Sequence, residues 1–166
     1  MASRNLIAGK RVLVVDDEPD VLETLAELLP RCEVVTAAGF EEARDLLETQ
    51  DFDLAVLDIM GVEGYRLLDI AVEKKVIAVM LTAGALSPED TVKSFKAGAA
   101  YFVPKDEMVS IESFLNDVLD AKAKKQSPWV RWLELFRPFY NKRFGPDWQK
   151  RDKEFWDKFL ERYMHW

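Results

Sequence analysis

Polar residues follow four short apolar runs, and together their types could handle phosphate. VLVV, from Val12, runs into Asp16 and Asp17, and LAVL, from Leu54, runs into Asp58. VIAVML, from Val76, runs into Thr82, and YFV, from Tyr101, is followed closely by Lys105. An apolar run bounded by polar residues suits a strand buried on both faces. Open α/β sheets place their ligand crevice at the carboxyl ends of such strands. If those ends meet, Asp16, Asp17 and Asp58 form a cluster whose repulsion and burial oppose ionisation. A hard divalent cation relieves this, and all-oxygen ligands with retained waters suit magnesium. The cation also offsets an incoming phosphoryl group, leaving Asp58 as the nucleophile at phosphorus. Lys105 can pair with phosphoryl oxygens as a point charge, and the Thr82 hydroxyl can donate a hydrogen bond to them.

Taken singly, each feature has an ordinary reading. An acidic pair after a strand is often a turn with a helix-start charge. A lone Asp can be a cap, Thr82 can merely begin a loop, and Lys105 can be a surface charge. Their shared position, each just after its own strand, is what favours a site.

The elements that must position them alternate. Strands are expected at 11–17, 33–37, 54–58, 76–81 and 101–103. Between them, apolar residues recur at helical spacing: Val21, Leu22, Leu25, Leu28 and Leu29; Phe40, Ala43, Leu46 and Leu47; Leu67, Leu68, Ile70 and Ala71. Pro19 fits a first helical turn and Pro30 closes that helix. Ser87 before Pro88 reads as a cap for a helix ending near Gly98, and Ile111 to Leu119 makes another. Five strand–helix alternations argue for an α/β fold: a parallel sheet with helices on both faces and right-handed crossovers.

Residues 10–120 resemble the receiver domain of two-component response regulators. The matching stretches are VLVVDDEPDVLETLAELL, LAVLDIM, VIAVMLTAGALSPED and KAGAAYFVPK. The resemblance implies a doubly wound, flavodoxin-like sheet of five strands in the order 2-1-3-4-5. It implies Asp58 as phosphoacceptor, with a sensor histidine kinase as phosphodonor and partner. It further implies magnesium held by Asp16, Asp17, Asp58 and the backbone carbonyl of Met60. Lys105 matches the family lysine, Thr82 the switch hydroxyl and Phe102 the switch aromatic. In such proteins a small electrostatic change at the aspartate biases a two-state packing arrangement.

The sequence departs from the family pattern after Asp58. Val62 stands where a proline is usual, and Gly64 comes about two residues early, so a shortened or differently bent loop is expected. Met60 and Gly84, which flank the site, carry no acid or amide to orient an attacking water. Slow loss of the phosphoryl group is the corresponding expectation.

Composition changes near residue 121. Residues 1–120 carry 11 Lys and Arg against 24 Asp and Glu, whereas residues 121–166 carry 12 against 6. The overall net charge is −7, and all five tryptophans lie in the second part. A receiver is expected over 8–121, a linker over 122–128 and a basic, aromatic helical hairpin over 129–166. In that tail Trp129, Trp132, Leu133, Phe136, Phe139 and Tyr140 share one helical spacing. Phe155, Trp156, Phe159, Leu160 and Tyr163 share another, with Asp147 as a cap between them. Such a stripe is expected to pack, either on its own receiver or on a second copy. A homodimer through the tail, or through the fourth-helix and fifth-helix face, is one outcome.

Other classes are disfavoured. One cysteine, Cys32, excludes a disulfide framework and a cysteine-rich zinc site. No signal-like or membrane-length apolar run is visible, so a cytoplasmic protein without a membrane partner is expected. His165, the sole histidine, reads as a frayed terminal residue rather than a relay site. Nucleic-acid binding by the basic tail, as in a transcriptional regulator, is the alternative. It lacks an evident recognition-helix pattern, and the acidic receiver opposes it. A phosphatase is disfavoured because Met60 occupies the place of the second aspartate. The protein is thus expected to modify only itself rather than turn over a substrate.

Overall fold

The computed structural model describes residues 5–83 and 87–163. Five strands alternate with helices: β1 (Arg11–Val15), α1 (Pro19–Leu28), β2 (Glu33–Ala37), α2 (Phe40–Thr49) and β3 (Leu54–Asp58). There follow α3 (Gly64–Glu73), β4 (Ile77–Thr82), α4 (Pro88–Lys96), β5 (Tyr101–Pro104) and α5 (Ile111–Ala123). The strands form one all-parallel sheet in the order β2-β1-β3-β4-β5. Contacts of α1 with α5, and of α2 with α3, place helices on both faces. Every residue of β3 is buried, as its central place between two helical layers demands.

The register builds the carboxyl edge. Val15 pairs with Leu57, which brings Asp16 level with Asp58. Asp58 pairs with Leu81, and Thr82 pairs with Pro104, immediately before Lys105. Asp16, Asp58, Thr82 and Lys105 thus each end a strand or follow one directly. Ser87 caps α4 by accepting the Asp90 N–H at 3.0 Å.

The tail is part of the same core. Of the stretch expected as a linker, the first two residues complete α5. The Lys125 N–H then donates to Lys122, and the Gln126 N–H to Ala121 at 2.8 Å. With Lys125 at φ 56°, this is a Schellman turn, a tight connector in place of a loose hinge. Pro128 opens α6 (Pro128–Phe144), and a 3₁₀ segment (Trp148–Asp152) leads into α7 (Lys153–Tyr163). Asp147 makes no side-chain cap. Asp152 does so instead, accepting the Phe155 N–H at 3.1 Å, because the 3₁₀ segment postpones the helix by one turn.

α6 lies on β5 and α5, and the 3₁₀ segment lies on α4. The indole N–H of Trp129 donates to the Ala99 carbonyl at 2.8 Å, and that of Trp132 to the Phe102 carbonyl at 2.7 Å. Phe95 of α4 receives the ring edges of Trp129, Phe155, Phe159 and Tyr163. The apolar stripe therefore covers the α4–β5–α5 face of its own chain. Among the described residues, no helix is long and apolar enough to cross a membrane.

Trp132→Phe keeps most of the packing but orphans the Phe102 carbonyl, and should cost about 1–3 kcal/mol in denaturant unfolding. Because all five tryptophans lie in the tail, indole fluorescence follows the tail while far-UV circular dichroism follows the whole fold. The two transitions should coincide, and an earlier fluorescence transition would contradict a shared core.

Candidate functional site

Asp16 and Asp58 are buried polar residues at the carboxyl edge, 0% and 4% exposed. Oδ1 of Asp16 accepts the Glu18 N–H at 2.9 Å, a local turn that fixes the carboxylate just past β1. Its Oδ2 is buried and outside hydrogen-bonding geometry with any donor among the described residues. The compensating charge is Lys105, whose Nζ stands 2.9 Å from that oxygen as an ion pair. The same ammonium lies 3.1 Å from Glu18 Oε1 and 3.6 Å from Asp58 Oδ1.

Burial pushes the Asp58 carboxyl up to about 6, and the neighbouring Asp16 charge pushes the same way against the pull of Lys105. Burial alone would lower the Lys105 ammonium. Its close contacts with the Asp16 and Glu18 carboxylates, with the charge of Asp58, hold it above the ordinary lysine range.

Carboxylate oxygens of Asp16, Asp17 and Glu18 come within 4.8 Å of one another. This set of hard carboxylate oxygens, answered by a single ammonium, fits a divalent cation. Glu18 was not anticipated from sequence, although its place directly after the acidic pair was the available signal.

The loop after Asp58 bends sharply. The Met60 carbonyl accepts the Val62 N–H at 2.9 Å, and its second lone pair remains for a cation. Gly61 adopts φ +77°, and a Cβ there would lie 2.6 Å from Asp17 Oδ2. At Gly64 a Cβ would lie 2.1 Å from the Asp58 carbonyl oxygen. The early glycine is thus required: α3 starts directly against the backbone of the buried aspartate. The Met60 side chain stands 68% exposed beside it.

Thr82 is buried at the next strand end, with its hydroxyl donating weakly to the Ala83 carbonyl at 3.4 Å. It lines a small cleft with Pro104, Lys105 and Asp106. Phe102 is fully buried in β5. Gly84 and His165 lie outside the described residues.

A doubly wound sheet of this order, with carboxylates and one lysine gathered at its carboxyl edge, defines the receiver class. Residues 12–114 match the family described as the response regulator receiver domain, and the chain belongs to that family. It is 34% identical over 115 residues to the two-component response regulator ARR10 of Arabidopsis thaliana, covering 65% of this chain and 20% of that protein. It is 37% identical over 99 residues to the heme response regulator HssR of Staphylococcus aureus, covering 56% and 43%. The chain thus matches between a fifth and just over two fifths of the length of these relatives, which come from a plant and a bacterium. Among solved structures, a CheY-like receiver domain protein from Methanospirillum hungatei superposes with TM-score 0.62 at 28% identity, covering 70% of this chain and 98% of that one. A response regulator from Burkholderia pseudomallei, solved with a phosphorylated aspartic acid, calcium ion and citrate, gives 0.59 at 26%, covering 70% and 72%.

The raised Asp58 carboxyl carries a stability signature. Above about pH 6 the native protein holds Asp58 ionised at a cost of at most about 3 kcal/mol. As pH falls through 6 the native carboxyl protonates before the unfolded one, and the cost fades, vanishing below the ordinary carboxylate range. Asp58→Asn should therefore raise metal-free stability at pH 7.5, with the gain closing between pH 6 and 4. Parallel urea curves in a chelator would show this, and a gain independent of pH would contradict it.

Proposed function

We propose that Asp58 accepts a phosphoryl group from a sensor histidine kinase in a magnesium-dependent reaction, and that the acyl phosphate changes the surface the protein presents. The observation that carries this is the buried Asp58 carboxylate, facing Lys105 and Asp16 at the end of β3 in a receiver fold. An Asp58 oxygen attacks phosphorus, the phosphorus–nitrogen bond to the donor imidazole breaks, and its electron pair returns to that ring. Asp16, Asp17, Asp58 and the Met60 carbonyl, with Glu18 beside them, would hold magnesium, which when bound supplies positive charge against the phosphoryl oxygens. Lys105 contributes a second cation, and Thr82 turns its hydroxyl from the Ala83 carbonyl towards the new group. Thr82 and Phe102 then act as the switch pair. The protein changes state without turning over a substrate, and works in the cytoplasm.

Output by protein contact is the reading the tail supports. Its aromatics Trp129, Trp132, Phe136, Tyr140, Trp148 and Trp156 are buried against the receiver or one another, which leaves few rings for base stacking. Association through the α4–β5–α5 face requires that the tail first move aside.

Incubation with acetyl phosphate and magnesium should add the mass of one phosphoryl group to the wild type and none to Asp58→Asn. Chelator should abolish the addition. With Met60 unable to orient water, the group should decay more slowly than small-molecule acyl phosphates; equal or faster decay would refute that point.

A further inference from the structure

α6 runs beside β5 in the same direction, since Trp129 meets the Ala99 carbonyl and Trp132 that of Phe102. Beyond Trp132 the helix continues to Phe144, roughly 18 Å at about 1.5 Å per residue. β5 has only Val103 and Pro104 left, roughly 7 Å at strand rise. The last turns of α6 therefore overhang the carboxyl edge of the sheet. Tyr140 pins the overhang, sharing a 2.6 Å hydrogen bond with the Thr91 hydroxyl in the first turn of α4. Phe139 and, one turn later, Arg143 then wall the cleft that Thr82 and Lys105 line from the other side.

We propose that Arg143 is a phosphoryl-binding residue contributed by the tail, through which α6 docking and the phosphorylated state of Asp58 stabilise each other. The proposal rests on Asp58 being the phosphoacceptor. Lys105 is already shared among Asp16, Glu18 and Asp58, so one ammonium must answer an added phosphoryl charge of about −1.5 to −2. Asp106 in the same cleft adds to the negative side. A guanidinium is the side chain whose planar fork matches phosphoryl oxygens, and Arg143 stands exposed at the cleft that Thr82 and Lys105 share. By linkage, whatever α6 gives the phosphorylated site, the phosphorylated site returns to α6 docking. No receiver residue is needed for this second cation: it comes from a segment beyond the family match.

The test uses the full chain with magnesium and beryllofluoride, a stable phosphoryl mimic, titrated by calorimetry. Arg143→Ala should weaken apparent mimic affinity about three- to tenfold, and Arg143→Lys should recover part of it. Arg151→Ala, which removes a tail cation paired with Glu89 away from the cleft, should match the wild type. Loading should also slow amide exchange in the last turns of α6 in the wild type but not in Arg143→Ala. Equal affinities for wild type and Arg143→Ala would overturn the proposal while leaving the phosphoacceptor reading intact. Wild type that binds neither the mimic nor a phosphoryl group would overturn both. Equal thermal midpoints for Arg143→Lys and wild type guard against misreading a folding defect.

Discussion

Lys105 meets Asp16, Glu18 and Asp58 at 2.9, 3.1 and 3.6 Å, so one ammonium group answers three carboxylates at the edge of the sheet. Much of the fold exists to force that meeting. The parallel register brings the ends of β1, β3 and β5 to one edge, where Asp16 and Asp58 are buried. The result is deliberately unbalanced: negative charge exceeds positive, and Asp58 is held reluctant to ionise. On the proposed reading, a cation would relieve that imbalance and an added phosphoryl group would increase it, as a charge-triggered switch requires.

The second constraint is that the tail and the receiver share a single hydrophobic cluster. Two indole N–H groups satisfy backbone carbonyls in or before β5, and rings from both α6 and α7 converge on Phe95 of α4. The face next to Thr82 and Phe102 is therefore packed within the chain. Displacing the tail would expose a large aromatic surface, so any signal that reaches α4 or β5 must act on α6 as well.

Much of this was legible in the residues. Buried strands announce themselves as unbroken apolar runs, and the receiver motifs place Asp16, Asp17, Asp58, Thr82 and Lys105 in order. The contact between Lys105 and Asp16 follows once strand order is known. Other features depend on distances that periodicity does not carry. Glu18 joins the cluster because the Asp16 turn folds it back towards Lys105. Gly64 comes early because α3 starts against the Asp58 backbone, and Gly61 because it meets Asp17. The stretch 122–128 looked like a hinge from its lysines and proline, yet its backbone closes a Schellman turn. The aromatic stripes predicted burial but could not say against what, since the complementary surface is formed by residues far away in sequence. Nothing local marks Arg143 as a neighbour of Lys105; only the run of α6 past β5 does.

On the proposed reading a single carboxylate, Asp58, carries the phosphoryl group. Borohydride reduces an aspartyl phosphate to homoserine and leaves free carboxylates unchanged, so it marks the acceptor at residue resolution. Treatment after phosphodonor and magnesium should convert position 58 alone, as read by peptide fragmentation, and chelator should prevent it. Homoserine at position 16 or 17, or conversion at 58 that does not depend on phosphodonor, would contradict the account.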